Sequence, residues 1–577
     1  LKRIHIIFII FFAVLLSVLF HWGGKTVYAS LTKSASVIAP IIVCIYFIFA
    51  KRSRKRVMVE ESNYIWRCLR KRPVTCLTVC GMTICVVYLL ITVFVYSETG
   101  ATNDEATYIF HAKTFAAWRL TNPVPPIREF FYSYYILTDP AYIAKSFPGY
   151  PALLMWGFVI GFPQLIPPLI LLASIFAIYW ALRPVLGPPV SVLVALVVGT
   201  TMQGLVEGAN YYSSAAVFLF SPLLFGCVIR YGKNFSWKWA AAAGFFLAAN
   251  FLARPFDAVG LGLAAVLYIL TQMRIRKTWA VKSNLAGICV FMCLGPLLLM
   301  GYNKVTVGSF LTGPYTVFFQ NYCPESYWIH APENKQDKPF DTPVAHHHRQ
   351  YVSTSEGYNN YNTHSVLSQW FQYRLPLLFF SMAPWGAILA GIPWVFSGRL
   401  RKQSLKALVF WPLSHAVYVL YAVGYQLVYS SGITFAVIGL GFLGLTRLRA
   451  LMRISSGRRQ SILLNPALIV GFCFFLVLPA FYVFKVEKFH GYYKQFYQAR
   501  DALPEGPKII FARYGADTWM YLELVQNDPV LEQAETIMAN DLGARNIELM
   551  KCFPERDYYL YDEPSGNLQR IYAQDYM

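Results

Sequence analysis

Long apolar runs constrain this chain more than any other feature. Segments of about 17–22 apolar residues recur along it, the length a helix needs to cross a hydrocarbon core of about 30 Å. In that solvent every backbone N–H and C=O must be satisfied within the chain, so helices follow. The chain is 56% hydrophobic and only 14% charged, against roughly 25% charged in an ordinary soluble domain. An α-helical polytopic membrane protein is expected. The first run, 4–20, follows Lys2-Arg3 and resembles a signal peptide. A second apolar run and a basic loop come after it with no clear small-residue cleavage site, so it reads as a retained span.

The formal charge of +21 fits a membrane better than a nucleic acid. Most Lys and Arg lie in short clusters between apolar runs, as the positive-inside rule requires of cytoplasmic loops. No nucleic-acid partner is therefore expected. The cluster Lys51-Arg52-Ser53-Arg54-Lys55-Arg56, closing with Arg67, Arg70, Lys71 and Arg72, fixes the orientation. About 13 spans then alternate, at 4–21, 34–50, 74–96, 164–182, 189–206, 212–229, 239–253, 258–273, 284–302, 375–396, 407–427, 430–446 and 463–484. Every basic cluster falls inside, and the C-terminus falls outside.

This reading divides the chain into three. Residues 1–72 carry two N-terminal spans and the basic loop, 73–486 form a membrane domain, and 487–577 form a small outer domain. The membrane domain has outer loops at 97–163 and 303–374, and the apolar run 150–162 is too short to span, so it is expected at the interface. In the tail, strand-like runs at 508–513, 536–539 and 557–561 alternate with helix-like runs at 517–525 and 542–552, the pattern of an α/β domain. It has no Gly-rich phosphate loop.

Candidate chemistry gathers at the outer span ends. Asp104 and Glu105 follow the span 74–96. They read either as a solvated acidic pair or as a general base with a neighbour that orients it or raises its pKa. Arg254 lies at the outer end of 239–253, against the positive-inside trend. It pairs with Asp257, snorkels, or offers a bidentate fork to a lipid phosphate. Lys145 precedes the interfacial run and is a second candidate for phosphate. Tyr108 and Tyr211 are candidate substrate contacts, although packing and solvation explain the span end Glu207-Asn210-Tyr211 as well. His346-His347-His348, with His330 and His364, lack the helical pair and acid of a metal site. No cofactor is expected, and a divalent metal is not favoured, because Arg and Lys can neutralise charge. The eleven cysteines show no paired metal spacing. Whether Cys323 and Cys552 pair is open.

An ordered set of loose motifs resembles the GT-C superfamily of integral-membrane glycosyltransferases. The nearest branch is the glycosyltransferase family 39-like group, with protein O-mannosyltransferases and lipid A aminoarabinose transferases as relatives. The set comprises Asp104-Glu105-Ala106-Thr107-Tyr108, then Lys145-Ser146-Phe147-Pro148-Gly149-Tyr150-Pro151, then Asn210-Tyr211-Tyr212-Ser213-Ser214. Arg254-Pro255, Tyr302-Asn303 with Gly308, and Phe511-Ala512-Arg513-Tyr514-Gly515 in the tail complete it. The resemblance implies that Asp104 is the catalytic base, with Glu105 its partner, and that Arg254 meets the donor phosphate. Phe147-Pro148-Gly149 stands where the family has Pro-Pro-Gly, and two spans precede the usual first one.

The expected function is an inverting hexosyl- or pentosyltransferase on the outer face of a bacterial cytoplasmic membrane. It would take a sugar from a polyprenyl phosphate to an acceptor hydroxyl on a glycan, lipid or protein. The alternatives are a glycan ligase or polymerase of another type, or a lipid-linked sugar transporter. A transporter would place ionisable residues at mid-span, where His415 is the clearest, whereas the charges here concentrate at span ends.

Overall fold

In a computed structural model of the chain, the described residues are 66–96, 100, 102–133, 135–276, 282–322, 378, 381–382, 385–397, 403–420, 427–456, 493, 495–515 and 523–576. The expected spans at 4–21, 34–50 and 463–484, the histidines at 330, 346–348 and 364, and Cys323 lie outside them.

Helix α1 (Pro73–Ile91) opens on a proline, whose missing N–H is one of the unpaired groups of a first turn anyway. The connection after α1 then carries α2 (Asn103–Ala116), the hairpin β1 (Ile136–Leu137) and β2 (Ile143–Ala144), and the short helix α3 (Gly149–Val159). The chain continues through α4 (Ile166–Leu186), α5 (Pro188–Gly199), α6 (Met202–Ala209), α7 (Ser214–Asn234) and α8 (Trp237–Ala253). Then come α9 (Pro255–Arg276), α10 (Lys282–Val307), α11 (Pro314–Tyr322), α12 (Gln403–Phe410) and α13 (Thr434–Ser456). Among the described residues, Pro73–Phe94, Pro163–Leu186, Ser214–Asn234 and Pro255–Ile275 are long and apolar enough to cross a membrane.

Three expected spans have a different form. In the run 375–396 the described segment Trp385–Ser397 is a 3₁₀ helix that contains Pro393. The run 189–206 is not one helix: α5 and α6 meet at 65°. Thr201 causes the break by starting a new helix, its hydroxyl accepting the Gly204 N–H at 2.9 Å, while the Thr200 hydroxyl turns back to the Leu196 and Val197 carbonyls. Trp385 Nε1 then donates to Thr200 Oγ1 at 2.9 Å. In the run 407–427, α12 gives way at Trp411-Pro412 to a 3₁₀ segment, Trp411–Leu420, since Pro412 has no N–H to continue the α ladder. The run 150–162 is α3, and Trp156, Val159, Ile160 and Phe162 expose their side chains there.

One apolar core joins α1, α4, α5, α7, α8, α9 and α13. The tail forms a sheet in the order β4-β3-β5-β6. Strands β3 (Lys508–Arg513), β4 (Thr536–Asn540) and β5 (Asp557–Asp562) are parallel, and β6 (Asn567–Arg570) is antiparallel to β5. Two helix-like readings in the tail are corrected. Residues 523–525 are not helical and 516–522 lie outside the description; α14 (Asn546–Cys552) starts later than expected. Asn546 Oδ1 accepts the Leu542 N–H at 2.9 Å and Asp541 Oδ1 the Gly543 N–H at 3.1 Å, so a capped turn occupies the first residues of that run. Strand β6 carries no apolar alternation and went unanticipated.

The sheet is docked on the connection that carries α2 and the β1–β2 hairpin. Phe110, Phe130, Phe131, Ile136 and Tyr142 share a core with Ile509, Phe511 and Ile537. Lys113 on α2 pairs with Asp528, and Arg545 lies 3.8 Å from Glu129.

One close approach fixes α3. A Cβ on Gly149 would lie 2.6 Å from the Ala253 nitrogen and 2.6 Å from the Leu252 carbonyl carbon, both backbone atoms at the end of α8. Gly149→Val must push the two helices apart, at a cost of about 1–3 kcal/mol or more for overpacking. The expected result is a lower thermal midpoint of the purified protein in detergent, with a smaller effect from Gly149→Ala.

Candidate active site at the membrane-facing loop

Helix α2 starts at Thr102, which is its N-cap. Thr102 Oγ1 accepts the Glu105 N–H at 3.4 Å and donates to Glu105 Oε2 at 3.1 Å, a variant of the capping box. Asp104 and Glu105 occupy the positive first turn, where carboxylates are favoured. Successive helical residues point about 100° apart, so the two acids part company. Glu105 is 1% exposed, and its Oε1 accepts the main-chain N–H of Tyr211 at 3.0 Å. The Asp104 side chain is 40% exposed, with Oδ1 3.7 Å from Lys145 Nζ.

Lys145 is buried at the end of the β1–β2 hairpin. A buried ammonium needs compensation, and here aromatic faces supply it. Its Nζ lies 2.9 Å from the Tyr135 ring centroid, 4.8 Å from Phe319, 5.4 Å from Tyr315 and 5.8 Å from Phe318. Desolvated cation–π contacts are worth about 2 kcal/mol or more. Tyr135 adopts φ +65°, a conformation bulky residues avoid. Its carbonyl accepts the Lys145 N–H at 2.8 Å, which holds it there.

His111 supports the same loop and was not singled out in the sequence. It lies seven residues after Asp104, at i, i+4, i+7 with Tyr108, on one helix face. That spacing was the available signal. Its Nδ1 is 2.8 Å from Ser146 Oγ and its Nε2 2.9 Å from the Tyr302 hydroxyl. Burial pushes the imidazole down to about 3, so it is neutral at physiological pH.

The remaining candidates form a neighbouring cluster. Tyr108 shares a hydrogen bond with Ser213 at 2.8 Å, and its ring meets Tyr150 edge-on at 5.5 Å. The Tyr211 ring is fully buried in the core, so this residue serves the site through its main chain. Arg254 Nε donates to Asp257 Oδ2 at 2.7 Å, the local pairing open from sequence, and its guanidinium carbon lies 5.2 Å from the Tyr429 ring centroid. Glu207, weighed in the sequence mainly as packing, is buried. It accepts from Ser214 at 2.7 Å, from Ser431 at 3.1 Å and from Gln203. Tyr150 lies between the two clusters: burial, with Tyr211, Glu105 and Glu207 nearby, pushes its hydroxyl well above the usual range. Among the described residues no three His, Cys, Asp or Glu side chains gather as a metal site would need.

No family model matches the sequence, and no curated protein matches it. Solved structures of similar chain course exist. A crystal structure of ArnT from Cupriavidus metallidurans bound to undecaprenyl phosphate is 12% identical, with a TM-score of 0.46 over 85% of this chain and 93% of that one. Archaeal oligosaccharyltransferase AglB from Archaeoglobus fulgidus, in complex with an inhibitory peptide and a dolichol-phosphate, is 12% identical, with a TM-score of 0.39 over 84% and 69%. At these TM-scores no residue role is carried over.

Two stability predictions follow from the buried groups. Glu105→Ala strands the buried Tyr211 N–H and leaves a void, and an orphaned buried donor alone costs about 1–3 kcal/mol. The variant should melt well below wild type in detergent, with Glu105→Gln, which keeps one acceptor, in between. His111 binds a proton more readily unfolded, at an ordinary 6.5, than folded. Stability is therefore full above about pH 6.5 and falls as the pH drops toward 3. His111→Gln should flatten that acid limb of the melting-temperature profile.

Proposed function

We propose that the protein is a membrane glycosyltransferase that moves a sugar from a polyprenyl-phosphate donor to an acceptor hydroxyl, with inversion, at the outer membrane surface. The supporting observation is the pairing of a half-exposed carboxylate, Asp104, with the ammonium of Lys145 at 3.7 Å, on a loop beside helices long enough to span a bilayer. A base and an anion-stabilising cation side by side are what displacement of a phosphate by a hydroxyl needs.

In this reading Asp104 accepts the proton of the acceptor hydroxyl as its oxygen bonds to the anomeric carbon. The bond from that carbon to the phosphate oxygen breaks, and its electron pair leaves with the polyprenyl phosphate. One displacement from the opposite face inverts the centre. Lys145 meets the departing charge, and Arg254, with Nε on Asp257, adds positive charge beside the donor. Glu105 holds the base in place rather than sharing its proton. Tyr108 borders the donor side, and Tyr211 acts through its grip on Glu105. The charge neutralisation is assigned to side chains, so no cofactor or metal enters the scheme. A bacterial cytoplasmic membrane, with the C-terminal domain outside, is the proposed setting. The acceptor is a hydroxyl of a glycan, lipid or protein.

The test is sugar transfer or release from a panel of radiolabelled polyprenyl-phosphate sugars, in membranes carrying wild type or Asp104→Asn, with and without chelator. A general base is worth about 10²–10⁴-fold, so Asp104→Asn should lose at least about a hundredfold at unchanged protein level. The chelator should leave the wild-type rate intact. Turnover by Asp104→Asn at the wild-type rate would overturn the assignment.

A further inference from the structure

We propose that Asn540, in the C-terminal sheet, is a positioning residue for the outer-loop site. It fixes the strand of chain that carries Tyr135, and through Tyr135 it sets where the Lys145 ammonium stands relative to Asp104. The catalytic consequence rests on the transferase reading above; the geometric part does not.

Asn540 is 3% exposed and is the last residue of β4, paired beside Ala512 of β3. Its side chain leaves the sheet and meets the outer loop. The amide nitrogen donates to the Tyr132 carbonyl at 2.8 Å and to the Phe130 carbonyl at 3.2 Å, with the Glu129 carbonyl at 3.5 Å. An amide has two hydrogens, so one side chain saturates itself on three carbonyls of one short stretch, 129–132. Phe130 and Phe131 beside it are fully buried, and the Phe130 ring meets Phe511 of β3 edge-on at 6.0 Å. Water therefore has no easy route to replace the amide.

A short path leads from there to the site. Ile136 N–H bonds back to the Ser133 carbonyl at 3.4 Å, which closes the bend that holds Tyr135, and the Tyr135 carbonyl accepts the Lys145 N–H at 2.8 Å. The Tyr135 ring lies under Lys145 Nζ at 2.9 Å, and Asp104 lies 3.7 Å beyond. Fixing 130–132 therefore fixes the near face of the ammonium's aromatic bed. The grip is also separable from docking as such. The sheet is also held by the Lys113–Asp528 pair and by Phe110 and Tyr142, which join the shared apolar core from outside residues 129–136. Loss of the Asn540 bonds should free the Tyr135 bend while the domain stays seated.

Asparagine suits this position and aspartate does not. Asp is isosteric but, when ionised, only accepts, so it would set oxygens against three carbonyl oxygens. Asn540→Asp and Asn540→Ala thus remove the same bonds in different ways.

The experiment uses full-length protein in detergent. Acylation rates of individual lysines by an amine-reactive reagent are followed by peptide mass spectrometry. Lys508, buried on β3 and 3.1 Å from Glu535, reports whether the sheet stays folded. Both variants should acylate Lys145 about tenfold faster than wild type with Lys508 unchanged. The kcat of sugar transfer should fall about tenfold with KM little altered, less than the about hundredfold that a 1 Å misplacement can bring. An unchanged Lys145 rate overturns the proposal. So does a Lys508 rate that climbs in step with Lys145, because it marks unfolding of the sheet rather than release of a brace. Faster acylation of Lys145 alone, in a protein whose wild type transfers no sugar, supports the brace and removes the transferase reading instead.

Discussion

The bond between the Glu105 carboxylate and the Tyr211 main-chain N–H fastens α2 to the segment that leads into α7. Glu105 reaches into the seam just before α7 and accepts from both Tyr211 and Thr102. A buried carboxylate is tolerable only when it is hydrogen-bonded, and these donors make it so. Because neighbouring helical positions diverge, burying Glu105 turns Asp104 toward the exposed side. One residue gives up its solvation to anchor the helix, and the adjacent one stays accessible for chemistry.

The treatment of Lys145 follows a related logic. A carboxylate in full contact would stabilise the ammonium but also cancel its charge. Ring faces supply part of the stabilisation, and Asp104 at 3.7 Å adds a partly exposed counter-charge. The ammonium is thus held in a largely desolvated bed. Its field carries further in such surroundings than it would through water.

What the sequence disclosed was local. The adjacent acids Asp104 and Glu105, the short apolar run after Pro148 and the three strand-like runs of the tail all leave marks within a few residues. What it hid was assembled from afar. The bed under Lys145 combines Tyr135 with Tyr315, Phe318 and Phe319 from α11, and no periodicity links them. Glu207 looked like a span end because its partners Ser430 and Ser431 come from more than 220 residues further along the chain, Ser430 through Gln203. The α5–α6 break was hidden by composition: Thr200 and Thr201 are mild enough to sit in an apolar run, and only their hydroxyl bonds reveal that the helix restarts. For Arg254, the local partner Asp257 was visible three residues away, and the fold uses it.

Open α/β sheets usually take their ligands at the carboxyl ends of the parallel strands. In this tail, the end of β4 closes on the chain's own loop, through Asn540 and the Arg545–Glu129 approach. The domain therefore behaves there as a socket already filled. Any outside molecule that bound the end of β4 would have to evict residues 129–132, so occupancy of that edge and an intact bed under Lys145 exclude each other. A compound that wedged into this seam would disturb the bed under Lys145 from the far side of the loop, without touching Asp104.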